Sequence, residues 1–145
     1  MTSTPPSRAP VDWSAVQHDL QGLNLLTSMS QRKQASKDFY WYSPILTEQL
    51  KDCLAELVVK VTNEDDVRQV ARVAAKYQLP LTVRAGGTGN YGQCVPLEGG
   101  IVVDVTQMCR ILEVQDGSVR AEAGACMHDI ELAVAETGQA RRMWP

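Results

Sequence analysis

The sequence predicts an α+β fold, and three observations support this prediction. A strand-helix-strand pattern runs from Leu57 to Arg84, further strand patterns follow between residues 99 and 123, and a helical pattern begins near residue 127. A glycine-rich stretch at residues 83–93 separates the first pattern from the others. We therefore expect helices together with parallel and antiparallel strand pairs in one domain.

The N-terminal part is the least specific. Residues 1–12 are rich in Pro, Ser and Thr and contain few apolar groups, so we expect a disordered tail. We assign residues 13–56 to a helical or irregular N-terminal segment. From Trp13 to about Ser36 the pattern is weakly helical, and its apolar residues at helix-compatible intervals are Val16, Leu20, Leu23 and Leu26.

The stretch DFYWYSP, residues 38–44, contains four aromatic residues before a proline. One interpretation is a platform that stacks on a substrate. The other is an irregular segment whose aromatic rings lie across a core, and we favour this second interpretation because aromatic side chains are more often buried than functional.

The strand-helix-strand pattern is well marked at both helix ends. Leu57 to Val61 is an apolar run typical of a buried strand. Thr62 is the predicted N-cap, with Asp65 three residues later. The helix then presents one apolar stripe, formed by Val67, Val70, Ala71, Ala74 and Tyr77. Pro80 ends the helix, and Leu81 to Arg84 is the second strand.

Beyond the glycine-rich stretch, residues 99–105 (GGIVVDV) predict a turn followed by a strand. Two alternating runs, Ile111–Gln115 and Ser118–Ala123, flank the dipeptide Asp116-Gly117. This dipeptide favours the positive backbone angles of a type I′ turn, so we predict an antiparallel hairpin.

A last helix is predicted from about Met127 to Thr137, where apolar residues recur at helical spacing. Gly138 follows as a natural C-terminal cap. The elements from the first strand onward form one unit, so we place the main domain at residues 57–145.

Composition excludes several classes of protein. With 44% hydrophobic residues, 21% charged residues and a net charge of −3, the 145-residue chain is an ordinary globular sequence without a basic run for nucleic acid. There is no membrane segment, since no apolar stretch approaches about 18 residues, and the N-terminus lacks the apolar part of a signal peptide. We expect a cytoplasmic protein.

The four cysteines indicate neither a metal site nor a redox pair. They are scattered, without a C-x-x-C pair or a histidine at ligand spacing. We expect buried free thiols at Cys53, Cys94, Cys109 and Cys126.

The stretch VRAGGTGNYGQ, residues 83–93, holds four of the ten glycines. It contains G-x-G-x-x-G, but a Rossmann turn leads directly into a helix whose N-terminus binds the pyrophosphate. Pro96 and the pair Gly99-Gly100, followed by the β-branched run from Ile101, exclude such a helix here. A Walker loop is also excluded, because no G-K-S or G-K-T is present.

Closely spaced glycines let successive backbone N–H groups line a concave surface that binds anions, notably phosphates. A tight turn without a ligand would require only one or two glycines, so we favour anion binding. Arg84 is either a charge partner of that anion or a strand-end residue that faces water.

From Pro80 to Gly138 the sequence resembles the first part of the flavin-binding (PCMH-type) domain of the vanillyl-alcohol oxidase and p-cresol methylhydroxylase superfamily. Within that superfamily it resembles the D-lactate dehydrogenases and glycolate oxidase subunits. The similarity covers about residues 57–145: strand-helix-strand, glycine loop, strand, hairpin, the AGA of residues 123–125, and helix. In this family the glycine loop wraps the pyrophosphate of FAD.

The resemblance implies that this loop binds the pyrophosphate of FAD, with cofactor-binding residues Arg84, Ala85, Gly86, Gly87, Thr88, Gly89, Asn90, Tyr91 and Gly92. Ala85 and Gly86 exchange the usual order of small residues, and Tyr91 is bulkier than the family pattern. Members with covalently attached flavin often have a histidine where this chain has Thr88, so the resemblance implies non-covalent FAD. His128 is expected to be an exposed or capping residue.

The resemblance implies the FAD-binding portion of a flavin-dependent oxidoreductase that acts on a hydroxy acid or another alcohol-bearing small molecule. The sequence stops at Pro145, where the family's flavin domain continues, so we expect an incomplete first lobe and assign no catalytic residue. The alternative is a truncated, inactive chain or an interaction module without flavin.

Overall fold

The structure is a computed structural model that describes residues 10–39 and 41–140. Within these ranges it contains five helices and six strands. The helices are α1 (Trp13–Asp19), α2 (Met29–Ala35), α3 (Pro44–Leu50), α4 (Glu64–Tyr77) and α5 (Met127–Ala135). The strands are β1 (Asn24–Leu26), β2 (Leu57–Lys60), β3 (Leu81–Arg84), β4 (Ile101–Asp104), β5 (Ile111–Gln115) and β6 (Ser118–Ala121). The predicted α+β class is confirmed.

A four-stranded sheet in the order β1-β2-β4-β3 forms the centre. Strands β2, β4 and β3 are parallel, while β1 pairs antiparallel with β2. The apolar runs of β2 and β4 are buried on both faces of the sheet, as expected for parallel strands. Because the register aligns Lys60, Asp104 and Arg84, these three residues end their strands at one edge.

The two faces of the sheet are covered by different helices. Val59 and Val103 pack with buried residues of α1 and α4, whereas Val58 and Val102 pack with Ala35 of α2. This division follows from the alternation of side chains along a strand. The N-terminal segment therefore forms part of the core.

Helix α4 begins one residue later than predicted. Asn63 is the N-cap, because its side-chain oxygen accepts the Asp66 N–H at 3.0 Å. Thr62 instead donates its own N–H and hydroxyl to the Asp66 carboxylate. Its hydroxyl is engaged there, so the prediction of Thr62 as N-cap is wrong. The helix ends at Tyr77, and Gln78 follows in the left-handed conformation, two residues before Pro80.

The N-terminal segment differs from the single weak helix that the sequence predicts. The chain forms α1, turns at Gly22, and adds β1 to the sheet before α2 begins at the Ser28 N-cap. Sequence spacing missed β1, because the three residues of this strand are too few to establish a period. The predicted disorder of residues 1–12 falls mainly on residues 1–9, which lie outside the described residues.

The aromatic stretch is irregular as predicted, but its rings do not lie across the core. Phe39 and Trp41 are 83% and 80% exposed, and only Tyr42 is half-buried. Tyr40 lies outside the described residues. The prediction that the aromatic rings of this stretch lie across the core is therefore wrong for Phe39 and Trp41, and the buried residue is Asp38.

The hairpin is confirmed, with Gln115 paired to Ser118 across Asp116-Gly117. Its second strand ends at Ala121, two residues earlier than predicted. Gly117 has a φ of +75°, but Asp116 has no positive φ, so the prediction of a type I′ turn is wrong. Helix α5 packs against the hairpin, and Gly138 follows it with a positive φ.

The cysteines are free, but the prediction that all four are buried is wrong. Cys53 and Cys94 are half-buried, while Cys109 and Cys126 are exposed. Both exposed cysteines flank the β5–β6 hairpin in sequence.

Candidate functional site

The glycine loop leaves β3 at the edge where the parallel strands end, the usual place for ligands in such sheets. No helix begins between Arg84 and Ile101, as the sequence predicts. Within the loop Gly87 is buried and has a φ of +64°, and Gly92 has a φ of +84°. An open cavity of about 390 Å³ lies at this edge, lined in part by Lys60, Ala85 and Gly86.

The backbone N–H groups of the loop fall into three sets. That of Tyr91 donates to Gln93 Oε1 at 3.1 Å. Those of Gly92 and Cys94 donate to the carboxylate of Asp38, at 2.8 and 3.2 Å. The N–H groups of residues 86–90 have no acceptor among the residues that the structure describes. Among these five residues Gly87 is buried, so its N–H requires a partner, whereas Gly86, Thr88 and Asn90 are exposed and their N–H groups are open to solvent or to a ligand. An anion with several acceptor oxygens, such as a diphosphate, fits this donor set.

Arg84 underlies the loop. Its guanidinium Nη1 donates to the carbonyl oxygens of Ala35 and Lys37, at 3.4 and 2.5 Å. A Cβ atom on Gly87 would overlap this guanidinium, so a larger residue here would have to displace the Arg84 side chain. The Phe39 N–H also donates to the Gly87 carbonyl oxygen at 2.6 Å. The segment 35–39 and the loop are therefore bound together by backbone and side-chain contacts.

Charges beneath the loop influence two neutral groups. Burial raises the pKa of the Cys94 thiol, and the nearby Asp38 carboxylate raises it further, while Arg84 acts in the opposite direction. Burial also raises the pKa of the Tyr42 hydroxyl, which accepts the Asp38 backbone N–H at 2.8 Å. Both groups therefore stay protonated at neutral pH, and Asp38 and Arg84 are the charged residues beside them.

The sequence-predicted site residues lie together on this one loop. Arg84, Ala85, Gly89 and Gly92 are half-buried, whereas Gly86, Thr88, Asn90 and Tyr91 are exposed. Tyr91 is 72% exposed. Sequence reasoning missed Asp38, which lies some 50 residues upstream of the loop at the start of the aromatic stretch.

Other kinds of site find no support among the residues the structure describes. No group of three metal-ligating side chains occurs within residues 10–39 and 41–140. Over the same ranges, no helix has the length and apolar character needed to cross a bilayer. His128 is exposed in the first turn of α5, as predicted.

Comparison with known proteins identifies relatives of the domain. Residues 55–143, more than half of the chain, match the family model of the FAD binding domain. An uncharacterised FAD-linked oxidoreductase of Mycobacterium tuberculosis is 30% identical over 88 residues, 59% of this chain and 19% of that protein. The D-2-hydroxyglutarate dehydrogenase of Pseudomonas putida is 33% identical over 123 residues, 80% of this chain and 12% of that protein.

A D-lactate dehydrogenase of Archaeoglobus fulgidus is 38% identical over 69 residues, 48% of this chain and 15% of that protein. This chain thus spans less than a fifth of the length of each of these relatives.

Solved structures share the fold. The 4-ethylphenol oxidase of Gulosibacter chungangensis superposes with a TM-score of 0.70 at 18% identity, covering 94% of this chain and 27% of that one. A p-cresol methylhydroxylase superposes with a TM-score of 0.68 at 16% identity, covering 86% and 24%. The sheet, glycine loop and hairpin are thus those of a PCMH-type FAD-binding domain, and the family match covers the loop with its unpaired donors. The chain belongs to the FAD binding domain family, whose cofactor is FAD.

Proposed function

We propose that this chain is the FAD-binding portion of a flavin-dependent oxidoreductase, and that the loop from Arg84 to Gly92 holds the FAD pyrophosphate without a covalent bond to the flavin. The observation that supports this most directly is the run of N–H groups at residues 86–90 that have no acceptor in the part of the chain that the structure describes. These donors occur in the segment that matches the FAD binding domain. The family match favours this function over an interaction module without flavin.

The loop binds the pyrophosphate through its backbone. The N–H groups of residues 86–90 would donate to its phosphate oxygens, and Gly87 has the positive φ that such anion-binding loops use. Arg84 Nη1 donates to two carbonyl oxygens beneath Gly87, and the positive charge of its guanidinium would favour a bound anion. Thr88 is exposed and carries no group suited to a covalent flavin bond, which supports non-covalent binding.

Bound FAD would supply the acceptor for a hydride that leaves a substrate C–H bond. The proposed substrate is a hydroxy acid or another alcohol-bearing small molecule. This class is supported by the relatives named as D-lactate dehydrogenase and D-2-hydroxyglutarate dehydrogenase. We place the proposed enzyme in the cytoplasm, and we assign none of its residues as the catalytic base.

The test is titration of the purified chain with FAD, followed by isothermal calorimetry and flavin absorption. We expect weak, saturable binding by the native chain, since it holds only part of the flavin domain, and at least tenfold weaker binding by Gly87→Val, about 1.4 kcal/mol in binding free energy. Gly117→Val is the matched control, since Gly117 lies at the hairpin turn outside the loop. Absence of FAD binding by the native chain, or normal binding by folded Gly87→Val, would contradict the proposal.

A further inference from the structure

The carboxylate of Asp38 lies inside the glycine loop although the residue belongs to the N-terminal segment. The residue is 3% exposed. Both of its oxygens are used: Oδ2 accepts the Gly92 N–H and Oδ1 accepts the Cys94 N–H. Asp38 also precedes the FAD binding domain match, which begins at residue 55. A buried anion from outside the matched segment therefore occupies one end of the loop.

The segment that carries Asp38 is fixed on both sides. Towards the core, Ser36 Oγ accepts the Ala55 N–H at 2.9 Å, and Arg32 Nε donates to the Ala55 carbonyl oxygen at 2.7 Å. Towards the loop, Phe39 N–H donates to Gly87. The carboxylate is thus held at a set position before any ligand binds.

We propose that Asp38 is a positioning residue of the FAD site: it occupies the Gly92 end of the loop and leaves the N–H groups of residues 86–90 for the pyrophosphate. This inference rests on the proposed function. It has two physical reasons. A loop already ordered by internal hydrogen bonds loses less entropy when the ligand binds. A carboxylate also repels a second anion, so the pyrophosphate is confined to the unpaired donors.

Asp38→Asn tests this assignment. The amide has one acceptor oxygen and one NH₂ group, so it satisfies only one of the two N–H groups and presents donors to the other. We expect at least tenfold weaker FAD binding. Riboflavin lacks the pyrophosphate, so its affinity should be unchanged. Asp38→Glu, which keeps both acceptors and the charge, should recover part of the FAD affinity.

Asp12→Asn is the matched control, because the Asp12 carboxylate also accepts two backbone N–H groups but caps α1. This variant should bind FAD as the native chain does. FAD affinity of Asp38→Asn within twofold of the native value would overturn the proposal. An equal loss of FAD and riboflavin affinity would also overturn it, since that pattern reports general disruption.

If Asp38→Asn does not fold, amide hydrogen exchange on the native chain tests the same role of Asp38. We expect Gly92 and Cys94 to be protected without FAD and unchanged by it, and residues 86–90 to gain protection when FAD is added. If FAD newly protects Gly92 and Cys94, the role of Asp38 is overturned while the proposed function survives. If FAD protects no loop amide, the proposed function itself fails, and the role of Asp38 fails with it.

Discussion

The glycine loop and the hairpin turn both depend on a glycine with positive φ, yet they differ in what surrounds that glycine. Gly87, at +64°, is buried, and an added Cβ atom would overlap the Arg84 guanidinium. Gly117, at +75°, is exposed, and an added Cβ atom would meet no atom within 4 Å. The hairpin turn thus requires only a backbone conformation, whereas the loop requires both the conformation and the space.

This difference shows that a glycine can be required either by the local backbone conformation or by residues that are distant in sequence. At the hairpin the requirement is local, since the two strands and the turn are consecutive in the chain. At the loop the requirement comes from Arg84 and from a segment nearly 50 residues upstream. Substitutions that add one methyl group at each glycine separate the two requirements.

Gly87→Ala should have the largest effect. The left-handed conformation costs about 1–2 kcal/mol for a residue with a Cβ atom, and displacing the Arg84 guanidinium from its two carbonyl acceptors adds a similar amount. We expect a loss of about 3 kcal/mol in unfolding free energy, measured by urea denaturation. A loss below about 1 kcal/mol would show that the space above Arg84 is not required.

Gly117→Ala should cost less, because only the backbone conformation is strained. We expect a loss of about 1 kcal/mol in the same urea measurement. FAD affinity should not change. A loss as large as that of Gly87→Ala would remove the distinction between the two turns.

The ion pair between Arg110 and Glu122, which flank the β5–β6 hairpin, makes the stability of the fold depend on pH. Hydrogen bonds from the Arg110 side chain and backbone hold the pKa of Glu122 below its usual 4.5. A carboxylate with a lowered folded-state pKa stabilises the fold above the unfolded value, and this stabilisation is lost as pH falls through the folded value.

Glu122→Gln tests this dependence. The native chain should be more stable than Glu122→Gln at pH 7, by less than the effect of Gly117→Ala, and the difference should disappear as pH falls below 4.5. Thermal melting of both proteins across this range measures it. A difference independent of pH would show that the ion pair with Arg110 is not its source.

Gly86→Ala should have the smallest effect and serves as the neighbouring control for Gly87→Ala. Gly86 has no positive φ, and the nearest atom to an added Cβ would be Thr88 Cγ2 at 3.5 Å. Replacing a compatible glycine lowers the entropy of the unfolded chain, so we expect stabilisation of about 0.5 kcal/mol in urea denaturation. Destabilisation by more than about 1 kcal/mol would contradict the geometry of the loop.

The parts of the fold that could be predicted from sequence are those with local signals. Periodicity and turn chemistry predict the strand from Leu57, a helix between Thr62 and Pro80 and the hairpin across Asp116-Gly117, and the structure contains all three elements. Strand β1 was missed because its three residues depend on pairing with β2. The N-cap is Asn63 rather than Thr62, because both side chains are competent caps and the Thr62 hydroxyl donates to the Asp66 carboxylate instead.

The candidate site divides in the same way. The loop over residues 84–92 could be predicted, since glycine spacing is a local property of the sequence. Asp38 could not, because its role depends on how the N-terminal segment crosses the loop. The sequence pattern here predicts the reverse of what is found: aromatic residues usually indicate burial and aspartates exposure, but Phe39 and Trp41 are exposed and Asp38 is buried.

The central position of β4 also affects the order in which the chain acquires structure during synthesis. Strands β2 and β3 both emerge from the ribosome before their common neighbour, and Leu57 pairs with Ile101, 44 residues later in the chain. Until β4 has been translated, the inner edges of both strands are unpaired and open to other chains. Nascent chains that stop before Ile101 should therefore be more accessible to chaperones than chains that extend past Asp104.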